Sequence, residues 1–476
     1  MFALDRLRAA VGGPGRLRVI ALLAAALALA GGDQTVAGAV APDLKITLGI
    51  DNTAIGLLAT AASLTGAVTT LPFGMLADRV NRVRLLAVCV LAWSVAVTIA
   101  GFATSYPTLL LAQVALGAGV GAATPVVASL TGDLFASQDR GRVFGFILAG
   151  EFAGAASGLL IAGQMSAWWS WRGAFWVLAA PGPLLALALL RGLAEPMRGA
   201  FDATQQGREE NQASVAALVI RAGVPPVPGR VLTEDPTDKP MRWAIRYVLG
   251  IRTNVLLIVA TALVYSYVAG LQTFAIVFLR GRFDLGQSLA TVLLVVVGLG
   301  VIVGTLLAGP LSDRAIGRGR IAARPLIGGL SCLVGVMLFA PGYLLPASWL
   351  AYGFLVLGSA GLGGVTPPLD AARLDIVHSR LWGRAESVRN FIQTLLKAGA
   401  PVLFGYLSTV LGGDSRQAQG DGAVGLTRTF LLMLGVLVIS GVVLLGPARR
   451  RYPRDVATAI ASEQATAAAN DEDKHR

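Results

Sequence analysis

Twelve apolar stretches, each near the ~20 residues that a helix needs to cross a bilayer, dominate this sequence. They run near 17–42, 52–77, 84–105, 107–132, 142–166, 172–191, 253–279, 287–312, 322–344, 347–372, 386–411 and 426–447. Inside lipid a helix satisfies its own backbone hydrogen bonds, so such a chain is expected to be an all-α membrane protein. Composition agrees: 14% of residues are charged, against ~25% in a soluble domain. The 58 glycines suit closely packed spanning helices.

The net charge of +12 points to lipid headgroups rather than nucleic acid. With twelve spans both ends share a side. Lys45, Arg172, Arg280, Arg282, Arg416 and Arg428 fall on one side, and nearly all other Lys and Arg residues fall on the opposite one. The basic side is expected to be cytoplasmic, which places both termini there in a cell membrane. Cys89 and Cys332 lie within spans and read as packing residues. His378 and His475 are far apart and make no metal or triad pattern.

The polar, proline-containing segment 192–252 separates two blocks of six spans, 1–191 and 253–447, with 448–476 read as a cytoplasmic tail. The end of the linker, "MRWAIRYVLGIR", fits either a helix on the membrane surface or a solvated, partly ordered stretch. The blocks echo one another. "GMLADR" (74–79) recurs as "GPLSDR" (309–314), "GAGVGAATP" (117–125) as "SAGLGGVTP" (359–367), and "GDQTVA" (32–37) as "GLQTFA" (270–275). Asp133 and Asp375 stand at the same distance beyond their Thr-Pro, as do Arg142 and Arg384. These offsets predict a duplicated six-helix unit. They also decide how the start of the chain is read. Residues 6–30 have the basic start and "ALA" end of a secretory signal. The copy of 32–37 lies mid-chain, so the first span is expected to stay in the membrane as the partner of the seventh.

In "GMLADRVNRVR" (74–84), Gly74 permits close packing, Asp78 can accept hydrogen bonds from an arginine or a helix N-terminus, and Arg79, Arg82 and Arg84 make a cationic turn facing anionic lipid and acids such as Asp133. The pattern G-x-L-x-D-R-x-x-R resembles the signature of the major facilitator superfamily, with a weaker copy at Gly309, Leu311, Asp313 and Arg314. The resemblance covers essentially the whole chain. It implies two six-helix bundles around a central cavity and a cytoplasmic charge latch. Asp78, Arg79, Arg82, Asp133 and Arg142 are its candidate members, with Asp313, Arg314, Asp375 and Arg384 as a second set.

A narrower resemblance is carried by "DQTVAGAVAPDLK" (33–45), "GLLAT" (56–60), "PFGMLADRVNR" (72–82) and "LDIVHSRLWGRAESVRNFIQTLLKAGAPVLFGYLS" (374–408), which look like the Spinster-type lysolipid transporters. It implies secondary transport of lysophospholipids or similar amphiphiles, with an acid of the first span, matched by Asp33. The chain departs from that family where an arginine and a glutamate of the fourth span are replaced by Gln113 and Val120, and where an acid of the eleventh is Lys397.

Three ionisable residues lie deep. At 1.5 Å per residue, Asp33 is ~22 Å beyond Arg18, Glu151 ~14 Å beyond Arg142 and Lys397 ~20 Å beyond Arg384. A charge at the centre of a span costs roughly 2.5–3.5 kcal/mol on insertion scales, so these groups are expected to face a wet cavity or one another. The eleventh span carries Glu386, Asn390, Gln393 and Lys397 on one helical face. Gln34 and Thr35, Gln113, and Tyr265, Tyr267, Gln272 and Thr273 add polar groups from the first, fourth and seventh spans. These residues are the expected substrate and coupling site, with Lys397 on an anionic headgroup and Asp33 or Glu151 exchanging a proton. Static helix-packing pairs are the competing role.

No G-x-x-x-x-G-K-[ST] loop and no nucleophile–base arrangement is present, so neither ATP-driven pumping nor enzymatic catalysis is expected. The expected function is a secondary transporter of an amphipathic solute, acting as a monomer with membrane lipids around it. It needs no cofactor beyond a coupling proton. A proton-coupled drug exporter and a non-transporting receptor or scaffold are the alternatives.

Overall fold

The computed structural model describes residues 14–77, 79–135, 137–195, 209–236, 239–412 and 421–474. The described residues are helical, with no strand among them. The first block contains α1 (Pro14–Ala39), the short α2 (Ala41–Leu48), α3 (Asn52–Ala77), α4 (Arg82–Gly101), α5 (Tyr106–Leu134), α6 (Ser137–Trp168), α7 (Trp171–Ala179) and α8 (Pro181–Gly192). After α9 (Glu209–Arg221) and α10 (Met241–Gly250), the second block contains α11 (Arg252–Phe283), α12 (Gln287–Gly317), α13 (Ala323–Leu344), α14 (Trp349–Gly363), α15 (Thr366–Ile376), α16 (Trp382–Gly412) and α17 (Asp421–Val443). A π turn at Leu444–Ala448 leads into α18 (Arg449–Lys474). Joining α7 with α8, and α14 with α15, gives the twelve expected spans. Among the described residues, eleven stretches are long and apolar enough to cross a membrane; α6, which carries Glu151, is not among them.

Local chemistry sets the breaks. Asn81 caps α4 by accepting from the Arg84 amide at 2.8 Å, and Ser348 caps α14 from the Ala351 amide at 3.3 Å. Gly49 closes α2 at φ 64°, a left-handed conformation that a β-carbon disfavours.

Two compact units make up the chain. One comprises Met1–Gln206, Ala269–Val295 and Ala398–Thr429; the other comprises Gly207–Val268, Val296–Lys397 and Phe430–Arg476. In the first, α1 lies against α6 through small residues. A β-carbon on Gly154 would stand 2.0 Å from the Ala28 carbonyl oxygen.

Each unit repeats the same helix crossing. In the first, a β-carbon on Gly117 would meet the Ala62 carbonyl at 2.1 Å, and one on Gly121 the Gly66 carbonyl at 2.4 Å. In the second, Ser359 Oγ donates to the Val297 carbonyl at 2.6 Å, and a β-carbon on Gly363 would meet the Val301 carbonyl at 2.1 Å. These are the positions that the sequence offsets pair. The duplication therefore extends from motif spacing to backbone contact.

Residues 449–474, expected as part of a tail, form a helix that packs as far as Thr466. In the second unit Tyr452, Val456, Ser462 and Thr466 of α18 are buried. The segment after α9 docks on it: the amides of Val227 and Leu232 donate to Thr458 Oγ1 at 2.8 Å and Ser462 Oγ at 3.0 Å. His378 Nδ1 accepts from the Arg380 amide, so Nε2 is the donor to Thr466 Oγ1 at 3.1 Å. Burial lowers the His378 imidazole below its ordinary value, with Glu463 opposing.

Candidate functional site

Asp33, Gln34, Thr35, Gln113, Glu151 and Gln272 belong to the first unit. Asp33 is 2% exposed, and neither carboxylate oxygen has a hydrogen-bond partner. The Trp93 indole faces the carboxyl, yet its Nε1 completes no hydrogen bond either. A buried polar group left this way marks a functional position more often than a structural one. Thr35 Oγ1 turns back to the Gly32 carbonyl at 2.8 Å and reaches that of Ala155 at 3.4 Å. Glu151 is half-buried, with its Cγ beside Gly31. Gln113 is buried, whereas Gln34 and Gln272 are exposed. Helices α1 and α11 meet where Gly38 packs on the Gln272 carbonyl.

Tyr265, Tyr267, Asn390, Gln393 and Lys397 belong to the second unit. Tyr267 is fully buried, and its hydroxyl lies 2.7 Å from that of Tyr343, within a cluster that includes Phe339 and Phe430. Its polar group is thus committed to packing. Gln393 Nε2 donates to Thr261 Oγ1 at 2.6 Å. Asn390 is exposed and Lys397 half-buried.

Two arginines that sequence reasoning left unassigned join this face. Arg373, on α15, donates to Asp370. Arg389, on α16, donates to Glu386 and, at 3.2 Å, to Gln393 Oε1; its Nη1 is 3.6 Å from Asp370 Oδ1. The i, i+3 spacing of Asp370 and Arg373 was the available signal.

The latch residues sort differently from expectation. Asp78 lies outside the described residues, as do the side chains of Asp133 and Arg142. Gly74 lies in α3, and Arg79 is exposed. Arg82 does not join a lipid-facing turn. It is 2% exposed and pairs with Glu195 at 2.8 Å and Ser129 Oγ at 2.9 Å. In the second set, Gly309 has open space beside it, and Asp313 and Arg314 are exposed. Asp375 pairs with Arg324 and Tyr452, not with Arg314 or Arg384. Arg384 instead donates to the carbonyls of Lys239 at 2.7 Å and Pro236 at 3.4 Å. The reason is placement: Arg324 opens α13 beside the C-terminal end of α15 and also reaches the Ala371 carbonyl at 3.0 Å. Arg82 makes the matching contact to the Ser129 carbonyl at 3.4 Å. A cleft of about 250 Å³ beside this pair is lined by Ser312, Asp313, Arg324, Asp375 and Trp382.

At the end of the first unit that carries the 41–51 connection, the repeats are tied directly. Arg280 donates to Asp43 Oδ1 at 3.0 Å and to Gln287 Oε1 at 3.1 Å, and Gln287 Nε2 donates to the Ala39 carbonyl at 2.7 Å. Ser166 Oγ donates to the other oxygen of Asp43. Asn52 donates to Ser408 at 2.9 Å, and Gly405 packs on the Asn52 carbonyl. Sequence reasoning missed this network.

Lys45, 1% exposed on α2, is lowered to about 8 by burial, against the opposing charge of Asp51. Between about pH 8 and the ordinary value of 10.5, the unfolded chain holds a proton that the folded chain has released, so stability rises with pH across that window. Lys45→Met is expected to flatten this rise and to raise the melting temperature at pH 7. Thermal unfolding from pH 7 to 10 checks it, and superimposable profiles for the two proteins would contradict it.

The pattern of the Major Facilitator Superfamily matches residues 23–401. The chain belongs to this superfamily. It is therefore a multi-pass membrane transporter rather than an enzyme. Among curated relatives, a probable 4-methylmuconolactone transporter of Cupriavidus pinatubonensis is 31% identical over 38% of the chain. Spinster homolog 1 of Xenopus laevis is 29% identical over 35%. These alignments span only 42% and 32% of the two relatives. Puromycin resistance protein pur8 of Streptomyces alboniger is 28% identical over 86% of the chain and 87% of its own length. Among solved structures, a bacterial homologue of the human lysosomal transporter Spinster, inward-facing and unoccupied, superposes with a TM-score of 0.77. It has 22% identity and covers 93% of this chain and 98% of that one. The superfamily fold, with the Spinster-like variety among its neighbours, is thus the architecture of this chain.

Proposed function

We propose that the chain is a secondary active transporter of an amphipathic, lysophospholipid-like solute, coupled to protons through Asp33. The observation that carries this reading is the Asp33 carboxyl, buried inside α1 with both oxygens unpartnered. A carboxyl held this way is suited to exchanging a proton or a cationic partner during a transport cycle. The exposed Gln34 and Gln272 offer polar contact among apolar helices, as an amphiphile requires. The blocks 1–191 and 253–447 are the rocking halves, with both termini cytoplasmic. The Asp43–Arg280 network is the outer gate in its closed position. One chain carries both repeats, so a monomer suffices.

A second reading, proton-coupled drug export, is favoured by the long alignment with the puromycin resistance protein. Flux into proteoliposomes under an imposed pH gradient separates the two. The lipid reading expects gradient-dependent movement of a fluorescent lysophospholipid, inhibited by unlabelled lysolipid and not by puromycin. Gradient-driven movement of puromycin, with no lysolipid flux, would replace it with the second.

A further inference from the structure

We infer that Arg373 and Arg389 form a subsite for the phosphate of an amphiphilic substrate, with Asp370 and Glu386 holding its place when it is absent. The inference rests on the amphiphile-transport reading and names the residues that would hold the phosphate of such a solute.

The geometry is one of too few acceptors. The side chains of Arg373 and Arg389 are 8% and 11% exposed. Arg373 Nε and Nη1, and Arg389 Nε, are buried donors without a hydrogen-bond partner. A single oxygen, Asp370 Oδ1, serves both cations: it accepts from Arg373 and lies 3.6 Å from Arg389. A guanidinium is built for two parallel bonds to an oxyanion, and leaving its donors unmet inside the protein is costly. A phosphate presents enough oxygens to bridge both guanidiniums at once.

Access follows the acids. Asp370 and Glu386 are 44% and 49% exposed, so the carboxylates stand at the mouth and the guanidiniums behind them. Glu386 reaches Arg389 from the preceding turn of the same helix, and a rotamer change releases it. Gln393 is fixed by Thr261 and braces Arg389 from behind. Lys397 stands ~12 Å further along α16, at 1.5 Å per residue, in line with Arg389 and Gln393. The row of cations gives an anionic headgroup a path along one helix face.

The test is binding to the full-length protein in nanodiscs, by microscale thermophoresis, with three probes. These are 1-oleoyl lysophosphatidate, monoolein (the same tail without phosphate) and glycerol 3-phosphate (the headgroup without a tail). The expected result is at least about tenfold tighter binding of lysophosphatidate than of either other probe, the size of one charge-assisted hydrogen bond or more. Arg373→Gln and Arg389→Gln are each expected to bring lysophosphatidate down to the level of monoolein. Asp370→Asn removes the competing carboxylate and is expected to tighten lysophosphatidate several-fold while leaving monoolein unchanged. A merely structural Asp370 would not give that gain, and the wild-type probe comparison stands even if an arginine variant fails to fold. Equal binding of lysophosphatidate and monoolein overturns the subsite and leaves amphiphile transport standing. Binding of glycerol 3-phosphate as tight as that of lysophosphatidate overturns the lipid as source of the phosphate. Binding of none of the three overturns both the subsite and the amphiphile reading.

Discussion

Asp33→Asn is expected to abolish the dependence of flux on an imposed pH gradient while leaving the helix bundle assembled. The carboxamide has nearly the shape of the carboxyl and cannot exchange a proton at the pH of any cell. Glu151, whose Cγ lies beside Gly31, is half-buried, whereas Asp33 is enclosed. Both oxygens are buried without a partner, and the facing Trp93 indole can only donate. The repeat isolates the residue further. Gln34 and Thr35 recur as Gln272 and Thr273, whereas Asp33 recurs as Leu271. An asymmetric acid in an otherwise symmetric pair is expected to serve coupling rather than shape. Solute counterflow needs no net coupling and should survive in the variant. Uphill, gradient-driven accumulation should not, and its retention at the wild-type level would remove Asp33 from the mechanism.

Breaking the Asp43–Arg280 pair is the other large effect. The two side chains are 26% and 27% exposed, so solvent screens the pair in part. Arg280 also holds Gln287, and Asp43 also holds Ser166, so Arg280→Gln loosens a network rather than one contact. A loss of about 1–2 kcal/mol shifts a two-state equilibrium by a factor of about 5–30. The reporter is Ser408, fully buried behind this end and bonded to Asn52. In a background with Cys89 and Cys332 changed to serine, Ser408→Cys should react slowly with a membrane-impermeant maleimide. Adding Arg280→Gln should speed that reaction several-fold. The charge-swapped pair, Asp43→Arg with Arg280→Asp, should bring it back towards the parent. An unchanged rate in Arg280→Gln would mean that the pair plays no part in gating.

The twelve spans were legible because apolar length alone announces them, and the duplication because its motifs keep their offsets. Ion-pair partners were not, because they join distant segments. Arg82 finds Glu195, 113 residues on, and Asp43 finds Arg280 across 237. Each looked like an ordinary flanking charge. The repeat did contain one missed clue. The offset that relates Asp133 to Asp375 also relates Arg82 to Arg324, and the Arg324–Asp375 pair follows from it. In α18 the signal was Thr458, Ser462 and Thr466, a row of small hydroxyls four residues apart that suits close packing. The surrounding arginines and acids masked it.

The docking of residues 227–232 on α18 bears on how motion in this protein can be watched. A fluorophore on the exposed Arg450 would ride on a helix anchored at Tyr452, Thr458, Ser462 and Thr466. Its displacement would report the unit beneath it rather than the swing of a loose end. A distance measured from that position can therefore be read as rigid-body travel, which makes the far end of the chain a convenient ruler mark.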